Sequence, residues 1–70
     1  MSAWPSTKGA RVLAALLRTG WSEKRCTGSH RVLQRAGWED YTFAFGGKDE
    51  IGPRMLVRLS KKTGLTPHDL

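Results

Sequence analysis

A glycine, a serine and a histidine stand together at positions 28–30 of this chain, inside the stretch CTGSHRVLQR. Histidine is suited to moving protons near neutral pH, because its unperturbed pKa of about 6.5 lies close to that range. Cleavage of RNA through its own 2′-hydroxyl needs such a group. The hydroxyl must lose a proton, the leaving 5′-oxygen must gain one, and the phosphorane charge must be stabilised. General acid–base help of this kind is worth about 10²–10⁴-fold. The residues around His30 suit the rest of that chemistry. Lys24, Arg25 and Arg31 could bind phosphate charge. Ser29 could donate to a phosphate oxygen, and Gly28 lets backbone approach a phosphate closely. The route calls for no metal and no cofactor, and a lone histidine without Cys or carboxylate companions is a poor metal site. A histidine after Gly-Ser at a strand start also serves simply as a polar edge residue, and that reading stands beside the chemical one.

The other reactive or aromatic side chains have plainer readings. His68 lies in a terminal turn. Cys26 reads as a small strand residue. Trp4, Trp21 and Trp38 could stack on bases, with packing as the competing role. Arg54, Arg58, Lys61 and Lys62 recur on one helical face, which is either solvated or a further phosphate contact.

Seventy residues make one domain, 1–70, and a chain of that size buries only roughly 60–65% of its unfolded surface. Hydrophobic residues at 39% and charged residues at 26% fit a soluble globular domain. A single cysteine, Cys26, excludes an internal disulfide and fits a reducing, cytoplasmic setting. The first eight residues lack the apolar core of a secretory signal, and no apolar run approaches the ~20 residues of a membrane span. Twelve Lys and Arg against six Asp and Glu give a formal charge of +6 and a pI near 10.3. The basic residues are spread along the whole chain. A folded basic domain suits a polyanion, either nucleic acid or an acidic protein, although basic charge also serves solubility.

Those residues must be carried by elements, and the chain reads as a helix, three strands and a helix. Val12, Leu13, Leu16 and Leu17 form an apolar stripe, so a helix is expected at about 7–18, capped by Ser6 or Thr7 and ended at Gly20. Trp21–Cys26 and Ser29–Arg35 read as strands around a turn at Thr27-Gly28, and Gly37 marks a second turn. Tyr41, Phe43 and Phe45 alternate with Thr42 and Ala44 in a third, half-buried strand within 39–45. Pro53 opens a closing helix with Asp49 and Glu50 just before it, and Met55, Leu56, Leu59 and Val57 supply its apolar stripe. Gly64 stops it, and Thr66, Pro67 and Asp69 form a last capped turn. The expected class is α+β: a three-stranded antiparallel sheet with both helices on one face and the other face open to solvent or ligand.

Three pieces of this pattern carry a resemblance: the GW at 20–21 after the first helix, the GSH at 28–30, and the closing EIGPRMLVRLSKKTGLTPHDL. Together they resemble the HicA (YcfA-like) family of bacterial toxins. The resemblance implies a small ribonuclease, an mRNA interferase of a type II toxin–antitoxin system, with a double-stranded-RNA-binding-like fold. It aligns Gly28, Ser29 and His30 with the family's motif, and His30 with its catalytic histidine. It also implies messenger RNA as substrate, a chain that is monomeric alone, and a HicB-like antitoxin that joins it in a hetero-oligomer and covers the site. Many members carry a second histidine in a stretch like F-x-F-H after the third strand; here the stretch is FAFGG, and the matching position is Gly46. Two further readings compete with the enzyme: a non-catalytic RNA- or DNA-binding module of the same fold, and a partner-binding domain with no nucleic-acid role.

Overall fold

The computed structural model describes residues 4–70. Its elements are β1 (Thr7–Lys8), α1 (Gly9–Arg18), β2 (Ser22–Thr27), β3 (His30–Gln34), β4 (Tyr41–Phe43), β5 (Glu50–Ile51) and α2 (Pro53–Thr63), followed by a 3₁₀ turn at Pro67–Asp69. The three central strands form an antiparallel sheet in the order β2-β3-β4. The expected α+β arrangement is therefore present. The strands at the two ends add something the sequence pattern did not suggest: β1 and β5 pair antiparallel, Thr7 opposite Ile51 and Lys8 opposite Glu50.

One side of the three-stranded sheet meets both helices. Val12, Ala15 and Leu16 of α1 join Leu56 and Leu59 of α2, Leu33 and Phe43 of the sheet, and Trp21, Ile51 and Leu65 in a single buried cluster. Burying each large side chain contributes about 1.5–3 kcal/mol, which is the main favourable term for so small a chain. The helices spend fewer apolar residues on this core than expected. On α1, Leu13 is half-buried and Leu17 exposed; on α2, Met55 and Val57 are exposed. On α2 the buried row is Leu56, Leu59 and Thr63, spaced three and four apart as one helical face requires.

The ends of α1 show how this sequence stops and starts a helix. Neither Ser6 nor Thr7 caps it. The residue before the first turn is Lys8, without a side-chain cap, and Thr7 donates its hydroxyl to the Pro5 carbonyl at 2.9 Å. The free N–H groups of the first turn go instead to a distant loop: Gly9 N–H donates to Asp49 O at 2.8 Å and Ala10 N–H to Gly47 O at 3.1 Å. At the other end, Trp21 N–H donates to Leu16 O at 3.1 Å and Gly20 N–H to Leu17 O at 3.4 Å. This is the paired-bond helix stop in which the residue after the glycine packs on the last apolar turn. Trp21, 2% exposed, is that residue.

α2 begins at Pro53 as expected, but Asp49 and Glu50 do not serve its positive end. Asp49 accepts from the Gly46 N–H at 2.7 Å and closes its own turn, while Glu50 belongs to β5. α2 ends at Gly64 in the left-handed conformation, φ 73°. There Trp21 donates its indole N–H to the Thr63 carbonyl at 3.2 Å in the interior. Trp38 lies across the outside of Gly64 and against Trp21, with ring centroids 6.0 Å apart, and Arg35 sits 5.8 Å from the Trp38 ring. Two of the tryptophans thus pack the seam between sheet and α2; Trp4 packs against the edge of the core.

Candidate nucleic-acid site

The GSH triplet lies at the tip of the β2–β3 hairpin. Thr27 and His30 are the last paired residues, so Gly28 and Ser29 form a two-residue turn. Gly28 has φ +60°, and no residue other than glycine has positive φ among those described. Glycine at the first central position, followed by a residue with negative φ, is the sign pattern of a type II′ hairpin turn. This backbone requires Gly28 for its conformation, and the space beside its Cα is open.

The strands sort the expected site residues onto different faces. Residues two apart on a strand share a face, as do residues directly opposite each other. His30 shares the open face with Thr27 opposite it, with Val32 and Gln34 along β3, and with Arg25 and Thr42, which both pair with Val32. His30, Arg25, Thr27, Gln34 and Thr42 are exposed. Among the described residues, the side chains of His30 and Arg25 have no hydrogen-bonded or ion-paired partner. Arg31 goes the other way. It is opposite Phe43, a core residue, so its side chain runs to the helix side and pairs with Glu23 at 3.0 Å. Lys24 is the extra residue of a bulge between Glu23 and Arg25, and its ammonium meets Asp40 at 2.9 Å. Both ion pairs are substantially exposed, so each contributes only about 0–1 kcal/mol and yields readily to a competing phosphate.

The structure thus brings His30 and Arg25 together, sets Gly28 at the tip between the faces, and turns Ser29 and Arg31 toward a cleft on the helix side. Sequence reasoning missed this cleft. It has a volume of about 340 Å³ and runs between α1 and the hairpin tip, with Leu13, Leu17, Phe43 and Phe45 among its walls. Gly46 and Gly47 close one end. The signal for it was present in Ala10, Ala14 and Leu17, a second apolar row on α1 beside the one that enters the core.

Two carboxyl or phenol groups outside the hairpin have displaced proton affinities. The Asp69 carboxyl is held below the usual range, first by the Thr66 backbone N–H and then by the Thr66 hydroxyl, with the charge of Arg18 assisting. Burial raises the Tyr41 hydroxyl.

The family profile of the HicA toxin of bacterial toxin–antitoxin systems matches residues 9–65. The chain belongs to the HicA toxin family. The match runs from the first residue of α1 to Leu65, so it takes in the hairpin, both faces of the sheet and α2. HicA membership makes this chain the toxin of a toxin–antitoxin pair and implies an antitoxin partner. The α+β fold with two helices and the β2-β3-β4 sheet is that of the double-stranded-RNA-binding-like HicA proteins. No curated protein matches the chain significantly. Among the described residues, no helix is long and apolar enough to cross a membrane.

Proposed function

We propose that this HicA toxin is a metal-independent endoribonuclease that cleaves messenger RNA in the cytoplasm, with His30 moving the protons. The observation that carries the reading is the exposed, unpartnered imidazole at the first position of β3, beside unpartnered Arg25 on the open face of the sheet. A phosphodiester reaches a strand end next to a glycine turn without displacing any side chain. In the reaction, neutral imidazole takes the proton of the 2′-hydroxyl. The 2′-oxygen bonds to phosphorus, the bond from phosphorus to the 5′-oxygen breaks, and the imidazolium returns the proton to that oxygen. The products are a 2′,3′-cyclic phosphate and a 5′-hydroxyl. Arg25 offsets the phosphorane charge from the same face, Lys24 joins it when phosphate displaces Asp40, and Arg31, on the helix side, holds a neighbouring phosphate of the strand when Glu23 yields. Ser29 and Gly28 complete the tip with a hydroxyl donor and an unobstructed backbone. A HicB-like antitoxin silences the toxin by forming a hetero-oligomer with it; alone, the chain is a monomer.

The test incubates the purified chain with a long RNA, with and without EDTA, beside His30→Ala. Cleavage is expected to survive EDTA and leave cyclic phosphate ends. His30→Ala should lower the rate about 10²-fold or more while moving stability by less than about 1 kcal/mol, because an exposed imidazole adds little packing. Full activity in His30→Ala overturns the assignment, and loss of activity in EDTA restored by magnesium replaces it with metal-assisted hydrolysis. Gly46, at the position where many family members carry a second histidine, favours one other reading: a module that binds RNA without cutting it. RNA binding by the wild-type chain with no cleavage would select that reading.

A further inference from the structure

We propose that the cleft between β4 and the last turn of α2 is a nucleobase subsite, where a base of the RNA strand stacks on Trp38 while Lys61 and Lys62 hold the adjoining phosphates. The inference rests on the reading of this toxin as an RNA-binding protein and does not need His30 to cut.

The connection from β3 to β4 sets Trp38 in a fixed place. Its backbone N–H donates to the Arg35 carbonyl at 3.1 Å and closes the turn at Gly37. The indole rests against Trp21, Gly64 and Arg35. These contacts fix the ring, yet 42% of the residue is exposed, whereas the neighbouring Trp21 is 2% exposed and serves the core. Packing alone leaves a large part of Trp38 unused. That part does not stand on a flat surface. It lines a cleft of about 570 Å³, with Tyr41 and Thr42 of β4 and Lys61 and Lys62 of α2 as further walls. A ring already held in place costs little to order when a base stacks on it, and such a stack is a common anchor for single-stranded RNA.

Charge decides what the cleft takes. Among the described residues, the side chains of Lys61 and Lys62 have no hydrogen-bonded or ion-paired partner. Both are exposed in the last turn of α2, so a phosphate can use them without displacing a carboxylate. Glu39 and Asp40 line the same cleft. Their carboxylates repel a phosphate from the hollow but accept hydrogen bonds from the amino group of a base. A base inside, with its phosphates at the lysine rim, satisfies every wall. An acidic protein would meet the two carboxylates, and a second copy of the chain would bring another charge of +6.

The cleft is continuous with the face of His30. Thr42 lines it and, opposite Val32, shares the open face with His30 and Arg25. His30 and Gln34, the two ends of β3, lie about 13 Å apart at the usual rise of a strand, and the Trp38 turn follows Gln34. A strand anchored on Trp38 can therefore cross the open face and present a phosphodiester further along to the hairpin tip.

The probes are two short single strands. One is an RNA with 2′-O-methyl sugars, which removes the attacking hydroxyl. The other has the same length and charge, with abasic sugars in place of the bases. The full chain should bind the first about tenfold or more tightly than the second. Trp38→Leu should lose most of that preference while binding the abasic strand as the wild type does, and Trp38→Phe should recover it. His30→Ala should keep it. Lys61→Gln and Lys62→Gln should weaken both strands alike and lower the salt slope by roughly 0.7 each. Trp38→Leu also removes packing beside Gly64, so a thermal melt accompanies it, and the wild-type chain supplies an arm that needs no variant. An RNA carrying iodouracil, irradiated in complex with the wild type, should crosslink to Trp38. Equal binding of the two strands by the wild type overturns the proposal and leaves the cleft to a protein contact. So does a preserved preference in a folded Trp38→Leu, or a crosslink that falls elsewhere than Trp38. If the wild type binds neither strand, the RNA reading falls together with the subsite. If it prefers the base-bearing strand through Trp38 and cuts no RNA, the subsite stands and only the ribonuclease reading falls.

Discussion

At the scale of single residues, the hairpin separates cations that look equivalent in sequence. Lys24 and Arg25 are neighbours, yet Lys24 is tied to Asp40 and Arg25 stands free on the face of His30. A phosphate can use Arg25 outright and must displace a carboxylate to use Lys24. For single-stranded RNA, each phosphate contact contributes roughly 0.7 to the slope of log affinity against log salt. With three to five such contacts, affinity should fall steeply between low and physiological salt. Arg25→Gln should reduce the slope by about 0.7, and Lys24→Gln by less, measured by fluorescence anisotropy on an uncleavable RNA. Equal effects from the two would show that the Asp40 pair does not form in solution. The residue types at this site were legible in the sequence: Gly28 in the turn, His30 near the start of the second strand, cations around both; the turn itself falls one residue later than expected, at Gly28 and Ser29. Their sorting onto faces was not legible, because the bulge at Lys24 reverses the alternation and nothing in a run of Glu-Lys-Arg marks which residue is the extra one.

At the scale of elements, α2 is fastened by its C-terminus. Gly64 has φ 73°, and a Cβ there would stand 2.8 Å from Trp38, whose ring is held in turn by Trp21 and Arg35. Gly64→Ala therefore meets backbone strain and a Trp38 ring that must shift from its contact with Trp21 and Arg35. It should cost about 1–3 kcal/mol, read as a drop in melting temperature of roughly 4–8 °C per kcal/mol. Gly52→Ala, with open space and no left-handed backbone, should be mild by comparison. The 3₁₀ turn after α2 is sensitive to acid. Asp69 accepts from the Thr66 N–H at 2.8 Å and the Thr66 hydroxyl at 3.0 Å, and its carboxyl pKa is lowered in the folded chain. The stabilisation is complete above the unfolded value of about 4 and is lost as pH falls through the lower folded value. Thermal melts from pH 5 downward should therefore decline less steeply in Asp69→Asn than in the wild type; parallel curves would count against the bond. Both helix stops and this last turn could be read from Gly20, Gly64 and the Thr-Pro-x-Asp pattern, since each depends on residues within a few positions. The β1–β5 pair could not, because strands of two residues carry no periodicity and their partners lie more than forty positions apart. The same pairing explains the misplaced cap on α1: Thr7 is occupied as a strand residue, and the loop from Gly47 to Asp49 takes over the helix start.

At the scale of the whole molecule, the two helices cover one side of the sheet, and the basic residues lie on helices and hairpin alike. A chain of +6 with an open sheet face attracts polyanions from every direction. The sheet order leaves β2 at an edge, with all six residues exposed. An exposed edge of that length is a template on which strands of other copies can add, one after another. Here Glu23, Lys24 and Arg25 stud the edge with charge, and the bulge breaks the ladder in its middle, so an added strand cannot keep register across it. The irregularity that turns Arg25 toward His30 thus also protects the free chain against fibrous aggregation. Deleting Lys24 would restore a regular edge, and the free protein should then scatter light on concentration where the wild type stays dispersed.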